Sequence, residues 1–376
     1  MKEGTMSAPV LVTGAFGQVG KRVTELLLSR GHTVVATDLR TGTALATAEK
    51  LVAARQPGAL RTHFADLLDR DAVETLVGDH HPGTIIHLAA MFSPQSYRNP
   101  RLARKINVGG TENLVHAGRQ LPAAPLLLFA SSAAVYGSRN PHRHPERITA
   151  ETPVAPIDQY GEDKVLAEGV IARSGLPHAF LRLGGVLSPD TTAGINADHL
   201  VLIRATPGDN RLHGVDARDV ALAFANAAGR RDSIDGKVLL IAGNDSYVHT
   251  HREVEDSMFE AMGIGRLGPS ASLPGNPGDD RGWAFTGWFD TTESQALLDF
   301  QRHDWPETVA WVAGAQPRFL RAALRTTGPL LRPAIRTALA LQRRFEHRGP
   351  YAEPWSLISS RYGPQALARG NGESGS

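Results

Sequence analysis

The stretch Val10-Leu11-Val12-Thr13-Gly14-Ala15-Phe16-Gly17-Gln18-Val19-Gly20 limits what this chain can fold into more than any other. A short apolar run enters glycines at 14, 17 and 20, and Val23, Leu26 and Leu27 come next at helical spacing. In a strand-turn-helix unit the first such glycine permits the tight turn. The second lets the backbone approach a pyrophosphate, and the third lets the helix pack on the strand. The helix start, with Phe16, Gln18 and Val19 around the glycines, then offers free N–H groups and a partial positive charge to phosphates. A glycine triplet alone could be only a tight connection, so its weight depends on the residues downstream. Asp38 comes 18 residues after Gly20, just past the next apolar run. A carboxylate there can accept hydrogen bonds from an adenine ribose and would repel a 2′-phosphate, which favours NAD over NADP. Arg40 pulls the other way, since an arginine can pair with that phosphate.

Apolar runs alternate with helix-spaced segments through the first half: Val10–Val12, Thr33–Ala36, Thr84–Leu88 and Leu126–Phe129, with Ala72, Val73 and Leu76 among the residues between. That alternation predicts an α/β chain with a doubly wound parallel sheet. Residues 7–187 are expected to form the nucleotide-binding domain and 188–300 a smaller substrate lobe, with a strand near 238–242 returning to the sheet. A basic helical extension is expected over 301–362 and a disordered tail over 363–376.

Composition removes several classes. The 376 residues include no cysteine, which excludes disulfides, thiolate metal sites and cysteine nucleophiles, and no metal-ligand set stands out. No apolar run reaches the ~18 residues of a membrane span, and the first residues lack the apolar core of a signal peptide, so a cytoplasmic location is expected. Net charge is +2, and the bias of basic residues toward arginine reads as coding preference, with no nucleic-acid partner.

Tyr160 and Lys164 lie four residues apart, on one face of a helix if the segment is helical, so an ammonium can sit beside a phenol. A nearby cation favours the phenolate, whose free pKa of about 10 otherwise makes it a poor acid or base at neutral pH. Alone the pattern is weak. Upstream, in order, stand Thr13-Gly14-x-x-Gly17-x-x-Gly20, Asp66-Leu67, His87-Leu88-Ala89-Ala90, Asn107, Ser131-Ser132-Ala133-Ala134-Val135-Tyr136-Gly137, and after the pair Arg182 in Leu181-Arg182-Leu183. Taken together these resemble the extended branch of the short-chain dehydrogenase/reductase superfamily, the epimerase/dehydratase-like family, over about residues 9–300.

The resemblance implies a Rossmann fold and a division of labour. Asp66 and Leu67 would contact the adenine, Leu88, Ala89 and Ala90 would line the cofactor, and Asn107 would hold the active-site helix. Tyr160 would be the general acid/base and Ser132 a hydrogen-bond donor to the substrate oxygen. Lys164 would lower the phenol's pKa and bind the nicotinamide ribose. Ser131 is the fallback serine, with strand-end capping as its competing role. Dehydratases of the family carry Asp-Glu after their threonine, whereas Ala133 and Ala134 stand here, which argues against dehydration. Where nucleotide-sugar enzymes of the family place an asparagine shortly after the Leu-Arg strand, this chain reads Leu183-Gly184-Gly185-Val186, with glycine at the expected position. Arg211 could meet a diphosphate or be a surface arginine, and Asp219 is expected to start a helix. The leading expectation is an NAD-dependent oxidoreductase acting on a secondary alcohol or ketone of a small molecule. The runner-up is a nucleotide-sugar 4-epimerase with tightly bound NAD, and a third reading is a non-catalytic dinucleotide-binding protein. The resemblance also brings a homodimer into consideration.

Between Glu307 and Glu346 there is no acidic residue, while Arg318, Arg321, Arg325, Arg332, Arg336, Arg343 and Arg344 alternate with apolar residues. Gly328-Pro329 and Pro333 are expected to split this region into two short helices. Such a basic amphipathic segment either packs on the body with its arginines outward or makes peripheral membrane contact.

Overall fold

The computed structural model of the protein describes residues 8–190, 197–284 and 287–368. Its centre is a parallel sheet of seven strands: β1 (Val10–Thr13), β2 (Thr33–Thr37), β3 (Ala59–Thr62), β4 (Thr84–His87), β5 (Leu126–Ser132), β6 (His178–Leu183) and, later in the chain, β9 (Lys237–Ile241). The spatial order is β3-β2-β1-β4-β5-β6-β9. Side chains of a strand alternate between faces. Val10 and Val12 therefore enter a core with Val23, Leu27 and Leu28 of the first helix, Gly20–Ser29. Leu11 enters a separate core with Leu76, Ile85 and Leu114 on the other face. Burial on both faces explains why the strands read as unbroken apolar runs.

Strand order reverses between β1 and β4, so the chain leaves the sheet in opposite directions there and opens a crevice at the carboxyl ends, the usual ligand position in such sheets. A second sheet joins β7 (Gly185–Leu187), β8 (Arg211–Asp216) and β10 (Val248–Thr250), with β7 parallel and β10 antiparallel to β8. From β8 the chain passes through a helix and returns to the main sheet as β9, beside β6. Sequence pattern carries no strong signal for β3, whose residues are mostly exposed at the sheet edge and include no apolar run.

Two expectations about the extension are corrected. Residues Arg318–Phe345 form one 28-residue helix with Pro329 and Pro333 inside it. Both prolines lie on exposed turns, and the opposite face is anchored: Gly328 is buried against the backbone of Gly263 and Ile264, and the Arg336 Nε donates to the Leu267 carbonyl at 2.6 Å. These contacts offset the roughly 3 kcal/mol that an interior proline costs a helix. The tail is also ordered past Gly363. A helix over Pro354–Tyr362 leads to Leu367, which bridges Asp158, and the Ala368 N–H donates to the Ile157 carbonyl at 3.0 Å. Residues 369–376 of the expected disordered tail lie outside the described residues. The expectation for Asp219 shifts as well. The helix Ala217–Ala227 is capped by Asp216, while Asp219 accepts from the Arg302 and His303 backbones and from the His303 ring.

Candidate active site

The carboxyl end of β1 turns at Gly14, whose positive φ of 64° suits glycine. A Cβ there would stand 2.9 Å from the Ala89 nitrogen, so the turn lies directly against the strand end that carries Leu88, Ala89 and Ala90. Gly20 packs closer still: a Cβ would meet the Gly14 carbonyl oxygen at 2.0 Å. Gly17, between them, has only that oxygen near its missing side chain, at 3.3 Å. Asp38 at the end of β2 accepts from the Phe16 N–H at 3.1 Å and the Leu39 N–H at 2.8 Å, one on each oxygen, and a carboxylate oxygen has room for a further donor. Arg40 is exposed just beyond it. Asp66 folds its carboxylate onto the Leu68 N–H, and Leu67 is buried against Gly110.

The helix Gln159–Ala172 carries the tyrosine and the lysine. Tyr160 is half-buried, and Ser132 at the end of β5 stands near enough to its hydroxyl to lower the phenol's pKa, so the two hydroxyls expected to meet one substrate oxygen lie on the same side of the site. The Ser132 Oγ also accepts from the Ala134 N–H at 3.2 Å, which fixes its rotamer. Lys164 is buried, donates to the Ala130 carbonyl at 2.6 Å, and holds its Nζ 5.7 Å from the Tyr160 ring centre. Burial lowers the Lys164 pKa to about 8, with Glu168 and Asp163 opposing. For Tyr160, burial raises the pKa above its ordinary value and the Ser132 hydrogen bond opposes this. Burial thus dominates the phenol's acidity, and the expected acidifying effect of Lys164 is not among the influences on it, because the ammonium is turned toward the Ala130 carbonyl.

Asn107 sits in a π-helical turn, Lys105–Gly109, a distortion common at functional sites. Its Oδ1 accepts from the Met91 N–H at 2.8 Å, and its Nδ2 donates to the Met91 carbonyl at 2.9 Å and to Asp163 at 3.2 Å. It ties the loop after β4 to the catalytic helix and is a positioning residue. Ser131 points the other way, donating to Glu168 at 2.5 Å. Glu168 receives Arg182 through two hydrogen bonds, and Arg182 also reaches the Tyr136 hydroxyl at 2.9 Å, so Ser131 belongs to a buried network behind the site. Arg211 directs its guanidinium to the His144 and Pro145 carbonyls at 3.0 Å and lies over the Trp288 ring.

Several residues that support the site were given no role of their own from sequence. Asp158 caps the catalytic helix through the Gly161 N–H at 2.8 Å and accepts from Tyr97 at 2.6 Å and Ser93 at 3.2 Å. Asp163 is held by Arg104 at 2.8 Å and by Gln159. His87 bridges Thr13 at 2.7 Å and Thr111 at 3.0 Å, and burial pushes its pKa down to about 3, so it acts as a neutral relay between β1 and the Asn107 helix. The Asp158 cap and the four-residue step from Lys164 to Glu168 were legible spacings. The pairing of His87 with Thr13 and Thr111 spans distant parts of the chain and left no local signal.

Comparison with known proteins agrees with this geometry. Residues 10–242 match the model of the NAD dependent epimerase/dehydratase family. A UDP-glucose 4-epimerase of Lactobacillus helveticus is 31% identical over 196 residues, 50% of this chain and 55% of that protein. UDP-glucose 4-epimerase 2 of Oryza sativa subsp. japonica is 34% identical over 164 residues, 43% of this chain and 39% of that protein. The chain thus spans about half the length of these curated relatives. Among solved structures, the UDP-glucose 4-epimerase of Thermus thermophilus in complex with NAD superposes with a TM-score of 0.63 at 24% identity, covering 82% of this chain and 98% of that one. An epimerase of Stenotrophomonas maltophila with bound NAD and formylated UDP-arabinopyranose gives 0.67 at 22% identity, covering 85% and 99%. These two likenesses establish the fold. With its family model matched across the nucleotide cleft, the serine strand and the Tyr-Lys helix, the chain belongs to the NAD-dependent epimerase/dehydratase family of enzymes.

Proposed function

We propose that this protein is a nucleotide-sugar 4-epimerase that retains its NAD through turnover. The observation that carries the chemistry is the convergence of Ser132 and Lys164 on Tyr160: Ser132 lowers the phenol's pKa, and the Lys164 Nζ lies 5.7 Å from the Tyr160 ring centre on the same helix. The choice of epimerisation over simple dehydrogenation, the leading expectation from sequence, rests on the relatives, which are UDP-glucose 4-epimerases.

The nucleotide cleft fits NAD. Gly17 leaves open backbone where a pyrophosphate can approach, and Asp38 offers a carboxylate to a ribose and repulsion to a 2′-phosphate. NAD, when bound, takes up and returns the hydride. The protein's part is to move one proton and hold one oxygen. The Tyr160 Oη accepts the hydroxyl proton of the reacting carbon and later gives it back, while the Ser132 Oγ donates a hydrogen bond to that oxygen. A Lys164 ammonium turned toward the phenol would make charge there less unfavourable within a low-dielectric pocket, where its effect is larger than in water. Ala133 and Ala134 are buried and carry no proton, so the site has one acid/base group at this position, sufficient for oxidation and re-reduction of a single carbon.

A dehydrogenase that exchanges its cofactor is the second reading, and the glycine pair Gly184-Gly185 favours it. In Leu183-Gly184-Gly185-Val186 no side-chain amide is available to a nucleotide sugar where the family's nucleotide-sugar enzymes place an asparagine. Arg211 is likewise engaged by carbonyls of its own chain. One experiment separates the readings. The purified protein is denatured and released NAD is quantified, and intact protein is incubated with UDP-glucose or UDP-galactose without added cofactor. An epimerase releases close to one NAD per chain and interconverts the sugars. Absence of bound NAD, with net NADH formed only when NAD and an alcohol are supplied, would refute the epimerase in favour of the dehydrogenase.

A further inference from the structure

The helix Arg318–Phe345 is about 42 Å long at ~1.5 Å per residue. One side rests on the body through Gly328 and through Arg336 and Arg343, which bond carbonyls of the loop Leu267–Ala271. A second apolar row on the same helix remains in solvent. Phe319 is 77% exposed, Leu330 78% and Phe345 81%, with Leu341 and Leu320 also exposed. Residues 319, 330 and 341 follow an eleven-residue step, which at ~3.6 residues per turn returns to almost the same direction. The row is therefore straight along most of the helix, and exposed Ala323, Ala334 and Ala338 fill the space between its large side chains.

Large side chains left bare in a continuous row mark an interaction surface. Its charge narrows the occupant. Residues 308–345 include seven arginines and no acid. None of these arginines makes an ion pair with a carboxylate among the described residues. All but Arg344, which borders the row near its end, lie on the arc away from it, so the helix has one basic face and one apolar face. Two copies meeting along the row would bring two such helices together with no acid on either to offset them. The row is convex, lacks the groove that would seat a peptide, and has little beyond threonines and Arg344 to fix a register. No described helix is long and apolar enough to cross a membrane.

We propose that this face docks on an anionic lipid bilayer, with the helix lying in the plane of the surface. Phe319, Leu330, Leu341 and Phe345 enter the boundary between headgroups and acyl chains, exposed Arg344 at the edge of the row reaches a lipid phosphate, and the charge of the arginines behind it, unpaired among the described residues, draws the helix toward an anionic surface. The full chain is floated with vesicles of phosphatidylcholine alone and of phosphatidylcholine with phosphatidylserine at about three to one, at low and raised salt. Wild type is expected to float with the anionic vesicles and to lose binding as salt rises. The triple variant Phe319→Ser, Leu330→Ser, Phe345→Ser is expected to partition at least ~10-fold more weakly with unchanged circular dichroism, because its targets are exposed and leave the core intact. Failure of wild type to float with the anionic vesicles would overturn the proposal. So would equal binding by the triple variant, or a wild-type dimer that the same substitutions convert to a monomer without any vesicle binding.

Discussion

Asp158 offers the sharpest test of how burial governs this site. Its carboxylate has no exposed surface, caps the helix that carries Tyr160 and Lys164, and accepts from Tyr97, Ser93 and the Gly161 N–H, with no cation in contact among the described residues. Burial raises its pKa from 3.8 to about 6, and those three hydrogen bonds oppose the rise. The folded value exceeds the unfolded one, so the contribution of this group to stability is fully present below about pH 4 and is lost as pH rises through 6. The rise of about two pKa units corresponds to about 3 kcal/mol at ~1.4 kcal/mol per unit. In Asp158→Asn the amide oxygen keeps the helix cap and the amide nitrogen can donate to the Tyr97 and Ser93 hydroxyls, but nothing ionises. Unfolding free energies from urea titrations of both proteins, taken at intervals between about pH 4 and pH 8, isolate the group because other titrations cancel in the difference. The variant should gain about 2–2.5 kcal/mol relative to wild type across that range, the part of the full effect that falls between pH 4 and pH 8. A flat difference would mean the carboxyl is not destabilised by burial. A variant that loses ground as pH rises would mean that the hydrogen bonds to the ionised form outweigh desolvation, and either result would refute the reasoning.

Other consequences arise from the same packing. Tyr160→Phe should lower turnover by ~10²-fold or more and leave the NAD content of the purified protein unchanged, as measured by initial rates and by released cofactor. Glu168→Gln leaves the buried Arg182 without its charge partner and should destabilise by about 3–5 kcal/mol, whereas Ser131→Ala removes one hydrogen bond from the same network and should cost about 1 kcal/mol, both read by chemical denaturation. Gly20→Ala places a Cβ 2.0 Å from the Gly14 carbonyl oxygen, so the turn must open. NAD should be absent from that variant after purification, and a full complement of NAD would show that the turn is not what holds the pyrophosphate.

The parts of this site that were legible in the sequence are those in which a short segment performs a task alone. The glycine turn, the Asp38 position and the Tyr160-Lys164 step are each set by local backbone geometry, which residue spacing records directly. Legibility fails where distant segments share a polar group. Ser131 and Ser132 are adjacent and chemically identical, yet strand alternation sends one into the Glu168-Arg182 network and the other to Tyr160. Periodicity shows that they face apart, but which face holds the cofactor depends on which helix covers it. The C-terminal region fails for a related reason. Local propensity breaks a helix at Pro329 and Pro333, and contacts with Gly263, Ile264 and Leu267, more than sixty residues earlier, keep it whole. Asp158 joins the two cases. Its capping role is local, but its burial comes from Tyr97, from the bridge to Leu367 and from the helix Pro354–Tyr362 beside them. The extension therefore bears on the catalytic helix as well as on the protein's surface: the segment that brings Leu367 back to Asp158 also sets the dielectric around the carboxylate that starts the helix of Tyr160 and Lys164.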